Sequence, residues 1–210
     1  MIPETYQGST ERIITSYNYT DIADGTGVIE LHPFASTDST GESYLMAQQH
    51  NYYSDPQLTN VHIAPPSHHG TKTVYFALTA FNTPKEVKGD AILSGSFRVD
   101  VSSGGGATGF IVFTLQKYDG STATDIGTIT TETISSTNTQ TFVLKITTTK
   151  THFKKGEILR LKALLDISSG TDTNADTILA HDPSNRDAGD ITAATNPTDL
   201  ILAVPFNIPN

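Results

Sequence analysis

The sequence predicts an all-β chain organised as a β-sandwich, and three observations carry that expectation. Short apolar or alternating runs are separated by Gly, Pro, Asn, Asp and Ser about every ten residues, the segmentation of sheets joined by turns. Ser and Thr together form roughly a quarter of the 210 residues, above average usage. Thr is β-branched and suits a pleated, half-exposed surface. Several runs also alternate with a period of two. In Thr139–Thr147, Phe142, Leu144 and Ile146 share one face, and Thr141, Val143 and Lys145 the other.

The elements follow in order. Residues 1–12 read as a polar N-terminal arm and 13–210 as a single domain, since no repeat or linker divides them. Candidate strands are Arg12–Tyr19, Gly27–Leu31, Glu42–His50, Leu58–Ile63, Thr71–Phe81, Ala91–Val101, Gly109–Lys117, Asp125–Glu132, Thr139–Thr147, Ile158–Ile167 and Leu200–Ile208. Phe110-Ile-Val-Phe113 is apolar at both parities, as in a central strand covered on both faces. Tyr118-Asp-Gly120 and Lys155-Gly156 read as reversals, and Ser103-Gly-Gly-Gly106 as a flexible hairpin connection. Glu157–Asp166 is rich in helix formers, yet its apolar residues alternate, and a helix would bring Arg160 and Leu164 to one face. It is read as a strand. In the last strand Pro205 and Pro209 share a parity and delete donors from one side, which predicts a sheet edge. Gly170–Pro197 is long and polar, and is expected to be a loop before that strand.

Charge and composition narrow the function classes. Charged residues make up 17% and the formal net charge is −9, which counts against nucleic-acid binding because phosphate contacts need a basic footprint. The local basic cluster Lys145, Lys150, Lys154, Lys155, Arg160 and Lys162 is expected to scatter over a turn and two solvent faces. With no Cys there is neither a disulfide framework nor a thiolate metal site. The opening MIPETYQGSTERI has no apolar stretch of signal-peptide length, and no run approaches membrane-spanning length. The chain is expected to be soluble, not conventionally secreted, and without a membrane partner.

Candidate sites were weighed one by one. Asp172, Asn174 and Asp176 match the start of a calcium loop, but Thr177 stands where Gly is wanted and Pro183 where the bidentate Glu belongs. His50, His62, His68 and His69 could bind zinc or nickel, but their loop spacing favours exposed histidines. No Gly-x-Ser-x-Gly elbow is present, and no helix follows Gly104-Gly-Gly106 to present its N-terminus to a phosphate. Tyr17, Tyr19, Tyr44, Tyr52 and Tyr53 could form a sugar platform or an interface belt, or pack across strands. No catalytic, cofactor-binding or metal-ligating residue is assigned, no cofactor is expected, and the chain is expected not to be an enzyme.

Three stretches carry a resemblance. Ser16-Tyr-Asn-Tyr-Thr-Asp-Ile-Ala-Asp-Gly-Thr-Gly27, Phe153-Lys-Lys-Gly-Glu-Ile-Leu-Arg-Leu161 and Leu200-Ile-Leu-Ala-Val-Pro-Phe206 resemble segments of virion structural proteins of tailed phages and archaeal viruses. The resemblance implies a β-sandwich of jelly-roll type on the capsid surface, acting as a decoration, cement or penton-type component. It also implies a homo-oligomer, with a trimer favoured, partnered by the major capsid protein or other virion proteins. Met1–Arg12 and the Asp-rich loop are the expected contact regions. A carbohydrate-binding module, or the receptor-binding head of a virion fibre, is the alternative.

Overall fold

A computed structural model describes residues 26–38, 41–48, 57–62, 69–101, 105–135, 139–169, 175–182 and 200–207. Among these there is no helix. The strands are β1 (Thr26–Asp38), β2 (Gly41–Ala47), β3 (Gln57–His62), β4 (His69–Ala77), β5 (Lys85–Val87), β6 (Asp90–Val101) and β7 (Ala107–Tyr118). They continue with β8 (Ala123–Thr130), β9 (Ile134–Ser135), β10 (Thr139–Thr147), β11 (Thr151–Phe153), β12 (Ile158–Ser169), β13 (Ala175–Asp182) and β14 (Ile201–Asn207). The chain is all-β, as its composition predicts. The candidate strand Arg12–Tyr19 and the arm at residues 1–12 lie outside the described residues.

The strands form two sheets. In the first, β6 has β10 on one edge, and β14 and β13 end to end on the other. The junction between β13 and β14 is held by the Leu200 N–H donating to the His181 carbonyl at 3.4 Å. Beyond them lie β3, paired with β13, and the first half of β1, paired with β14. The second sheet runs from the second half of β1 through β2, β4, β12 and β7 to β8. Because β1 belongs to both sheets, they join into one nearly closed, barrel-like surface.

Closure needs close approach at two glycines. A Cβ on Gly127 of β8 would lie 2.8 Å from both Ile146 Cγ2 and the Thr147 carbonyl oxygen at the end of β10. Only a residue without a side chain fits this seam, which the Thr149 N–H also ties to the Ile126 carbonyl at 2.7 Å. A Cβ on Gly109 of β7 would meet Thr177 Oγ1 and, at 2.8 Å, Val99 Cγ2, both carried by the first sheet.

The core lies between the sheets, and alternation builds it. Along β12, Leu159, Leu161, Ala163, Leu165 and Ile167 are fully buried while Arg160, Lys162, Leu164 and Asp166 are only half-buried. Each large apolar side chain buried this way stabilises the fold by about 1.5–3 kcal/mol relative to exposure. A helix over this segment would forfeit that one-sided stripe, so burial outweighs helix propensity. Phe76, Phe97, Phe113 and Phe153 fill the centre from both sheets. Phe110-Ile-Val-Phe113 lies in β7, between β12 and β8, with Ile111 and Phe113 fully buried and Phe110 and Val112 half-buried.

Three expectations are corrected. The stretch read as a loop before the last strand contains β13, whose inner residues include Thr177 and His181. Ser103–Gly106 does not close a hairpin, because β6 and β7 belong to different sheets and are not paired. The last strand is not an edge, since β14 has β1 on one side and β6 and β5 on the other. Pro205 is tolerated there because its edge position faces the break between β5 and β6. Its carbonyl accepts from Lys88 N–H at 3.4 Å, and a residue's N–H and C=O point to the same edge in a strand. The missing donor therefore faces the reversal at Gly89, whose φ is 117°, rather than a continuous ladder. Pro209 lies outside the described residues.

Candidate interaction surfaces

Directly opposed residues of an antiparallel pair present their side chains to the same face. On the outer face of the first sheet one row joins Val143, Ser94 and Ile201, and the next joins Lys145, Ile92, Ala203 and Glu30. Val28 and Pro205 form a third row. Val143 is 76% exposed, Val28 45% and Ile92 39%, with Ile201, Ala203 and Pro205 half-buried between them. An apolar patch therefore crosses β10, β6, β14 and β1. At its rim the Lys145 ammonium pairs with Asp90 at 3.1 Å and, by that hydrogen bond, holds the Asp90 carboxyl below the usual carboxylate range.

The outer face of the second sheet has a different chemistry. Arg160 of β12 lies between two aromatic rings, with its guanidinium carbon 4.3 Å from the ring centroids of both Tyr75 on β4 and Tyr118 on β7. Its Nε and Nη2 donate to Gln116 Oε1 at 3.1 and 2.9 Å. Gln116, only 5% exposed, in turn donates from Nε2 to Asp125 Oδ1 at 2.6 Å. Register explains the assembly: Gln116 and Arg160 are directly paired, as are Tyr118 with Ile158 and Tyr75 with Lys162.

A third feature is internal. The pairing of β13 with β3 slips between Ala180 and Asp182, so His181 is an extra residue in a β-bulge, a device that re-aims a side chain. Its ring stands edge-on to Phe76 at 5.3 Å and to Tyr44 at 6.0 Å. Neither ring nitrogen has a hydrogen-bond partner among the described residues. Burial alone pushes its pKa down to about 3, so the imidazole is neutral at physiological pH.

Among the described residues, those singled out from sequence do not converge. His69 opens β4 and pairs with Asp166 of β12 at 3.0 Å, and His62 lies in β3, while His50 and His68 are outside the described residues. Asp176, expected in an Asx-rich turn, is instead a strand residue in register with Asp100 and His62; Asp172 and Asn174 lie outside the described residues. Among the described residues no three His, Asp or Glu side chains cluster. Of the tyrosines for which a platform, an interface belt or cross-strand packing was open, Tyr44 packs against Phe76 at 5.5 Å, and Tyr17, Tyr19, Tyr52 and Tyr53 lie outside the described residues. The basic cluster does scatter: Lys145 lies on the first sheet, Lys150 pairs with Glu86 at 3.2 Å, and Arg160 and Lys162 lie on the second sheet. The Tyr75–Arg160–Tyr118 stack was not legible in sequence, because it depends on the register of three strands. The one available signal was that Arg160 falls on the outward parity of its strand.

No protein-family model and no curated protein matches the chain. Solved structures do. A CocE/NonD family hydrolase from Staphylococcus aureus is similar over 85% of this chain and 36% of its own, with 10% identity and a TM-score of 0.46. An aminopeptidase from a marine sediment thaumarchaeon is similar over 85% of this chain and 37% of its own, with 6% identity and a TM-score of 0.49. The infectious bursal disease virus structure, Gt strain, is similar over 95% of this chain and 57% of its own, with 10% identity and a TM-score of 0.29. The chain thus spans about a third of the length of the hydrolase structures it matches. The expectation that the chain is not an enzyme is withdrawn, because the solved structures it is similar to include a CocE/NonD hydrolase, an α-amino acid ester hydrolase and an aminopeptidase; the likeness is one of fold alone.

Proposed function

We propose that this chain is a structural component of a virion, a β-sandwich of jelly-roll type that self-associates and docks at the capsid surface. The observation that carries the reading is the apolar patch of Val28, Ile92 and Val143, with Ile201, Ala203 and Pro205 between them. Exposed apolar residues scattered singly are ordinary, whereas a contiguous patch with a charged rim marks an interaction surface. Its residues come from four strands of one sheet, so the surface is preformed and loses little conformational entropy on binding. The expected assembly is a trimer seated against the major capsid protein. Closed symmetry would bury the patch in every copy and prevent open-ended growth.

Light scattering on the purified chain tests the first half of this reading. A stable trimer or larger closed assembly is the expected outcome, and a monomer at all concentrations would overturn self-association. Co-sedimentation with capsids lacking the protein tests the second half, with saturable binding expected.

A further inference from the structure

Beyond that reading, and independent of it, we propose that the Tyr75–Arg160–Tyr118 stack is a binding site for a saccharide bearing a single carboxylate.

The two described arginines are treated differently by the fold. Arg98 is neutralised by Asp100 at 2.8 Å. Arg160 has no carboxylate partner among the described residues, and its hydrogen-bond acceptor is the neutral amide oxygen of Gln116. A free arginine side chain carries about 2 kcal/mol of rotamer entropy. Here that freedom is removed from three directions: a ring on each side and a glutamine that is itself anchored by Asp125. The arrangement presents a fixed cation whose remaining N–H donors have no acceptor among the described residues. Lys162, on the same face and in register with Tyr75, adds a second cation without an ion-pair partner among them.

The shape of this site selects its ligand. A planar guanidinium with free donors matches a carboxylate bidentately. Tyr75, 42% exposed, offers an aromatic surface beside it for the apolar C–H face of a sugar ring. The two features lie a few ångströms apart, the separation of an acid group from the ring that carries it. The formal charge of −9 repels extended polyanions, nucleic acids among them, but a single acidic sugar adds only one charge. A terminal acidic sugar on a neutral glycan satisfies all these constraints.

The test is isothermal titration of the full chain with sialyllactose, with lactose as the neutral parent and a short oligothymidylate as a polyanion. Sialyllactose is expected to bind at least about tenfold more tightly than lactose, the order of one charge-assisted contact. Arg160→Lys keeps the charge but loses the planar fork, and is expected to weaken sialyllactose about tenfold or more. Tyr75→Ser, at an exposed position, removes the stacking surface while leaving Arg160 paired with Gln116, and is expected to weaken sialyllactose and lactose alike. Melting curves confirm that each variant is folded. Equal binding of sialyllactose and lactose, absence of binding to either, or tighter binding of oligothymidylate would each overturn the proposal. So would full sialyllactose affinity in a folded Arg160→Lys protein.

Discussion

The Thr177 hydroxyl donates to the main-chain carbonyl of Asp166 at 2.9 Å, linking β13 of the first sheet to β12 of the second. Thr177 is fully buried, and Gly109 of β7 lies directly against it. A hydroxyl inside the core, reached by close approach to a glycine, fixes how the sheets cross at this end. Thr177→Val keeps the shape and removes the donor, with an expected loss of about 1 kcal/mol. Gly109→Val has no room, since even its Cβ would collide with Val99, and an overpacked site of this kind costs about 1–3 kcal/mol or more. Urea denaturation checks both, and a Gly109→Val protein as stable as wild type would refute the account of the crossing.

The seam between β8 and β10 gives a second prediction. Gly127→Ala places a methyl group 2.8 Å from Ile146 Cγ2 and the Thr147 carbonyl oxygen, one of them backbone that cannot swing aside. The variant is expected to lose about 1–3 kcal/mol and to unfold at lower urea concentration. Gly106→Ala is the control, because a Cβ there meets nothing within 4 Å and its φ is not positive. It is expected to be neutral or to stabilise by about 0.4–1 kcal/mol through the unfolded chain. Equal effects of the two substitutions would mean that Gly127 does not set the closure.

His181 makes stability depend on pH, and the direction is fixed by its burial. Its pKa is about 3 in the folded chain against an ordinary 6.5. Between those values the unfolded chain binds a proton that the folded chain does not. Stability from this group is therefore fully present above about pH 6.5 and falls steadily as pH drops toward 3, by on the order of 5 kcal/mol at full extent. Among the described residues the rings in contact with it are those of Phe76 and Tyr44. His181→Phe suits the aromatic surroundings of Phe76 and Tyr44 and removes the unpartnered nitrogens. Its advantage over wild type is expected to grow as pH is lowered from 7 to 4, measured as the difference between urea midpoints. A constant difference across that range would show that the ring does not titrate as its burial requires.

How much of this was legible in the sequence depended on whether polar residues stayed outside. Leu159 to Ile167 and Phe142 to Ile146 read correctly as strands because every second residue is apolar and lies in the core or, for Leu144, packs half-buried against it. β13 did not, because Thr177 and His181 occupy inner positions where the pattern wants aliphatics, and Asp-, Asn- and Thr-rich flanks resemble a loop. Pro205 was informative about a missing donor but not about where it faces. That answer lies in the break between β5 and β6, a tertiary feature. The outward parity of Val143 and Arg160 was readable strand by strand. Their neighbours were not, since Val143 shares a row with Ser94 and Ile201, and Arg160 lies between Tyr75 and Tyr118, only through inter-strand register.

The apolar patch of the first sheet yields the prediction that bears most directly on assembly. Val143 and Ile92 are exposed, so replacing them with lysine buries no charge within the isolated chain and is expected to change its stability by no more than about 0.5 kcal/mol. In an assembled state the same lysines would sit in a desolvated interface facing their symmetry mates, where like charges and unpaired ammonium groups oppose association. Val143→Lys with Ile92→Lys is therefore expected to convert the oligomer to folded monomer, seen as a fall in mass by light scattering with an unchanged urea midpoint once both proteins are compared as monomers. Thr141→Lys, at an outward position farther along β10 and away from Ile92, is expected to leave the mass unchanged. If the double variant keeps the wild-type mass, the patch is not the self-association surface. If Thr141→Lys dissociates the oligomer equally, the effect is one of net charge rather than of the patch.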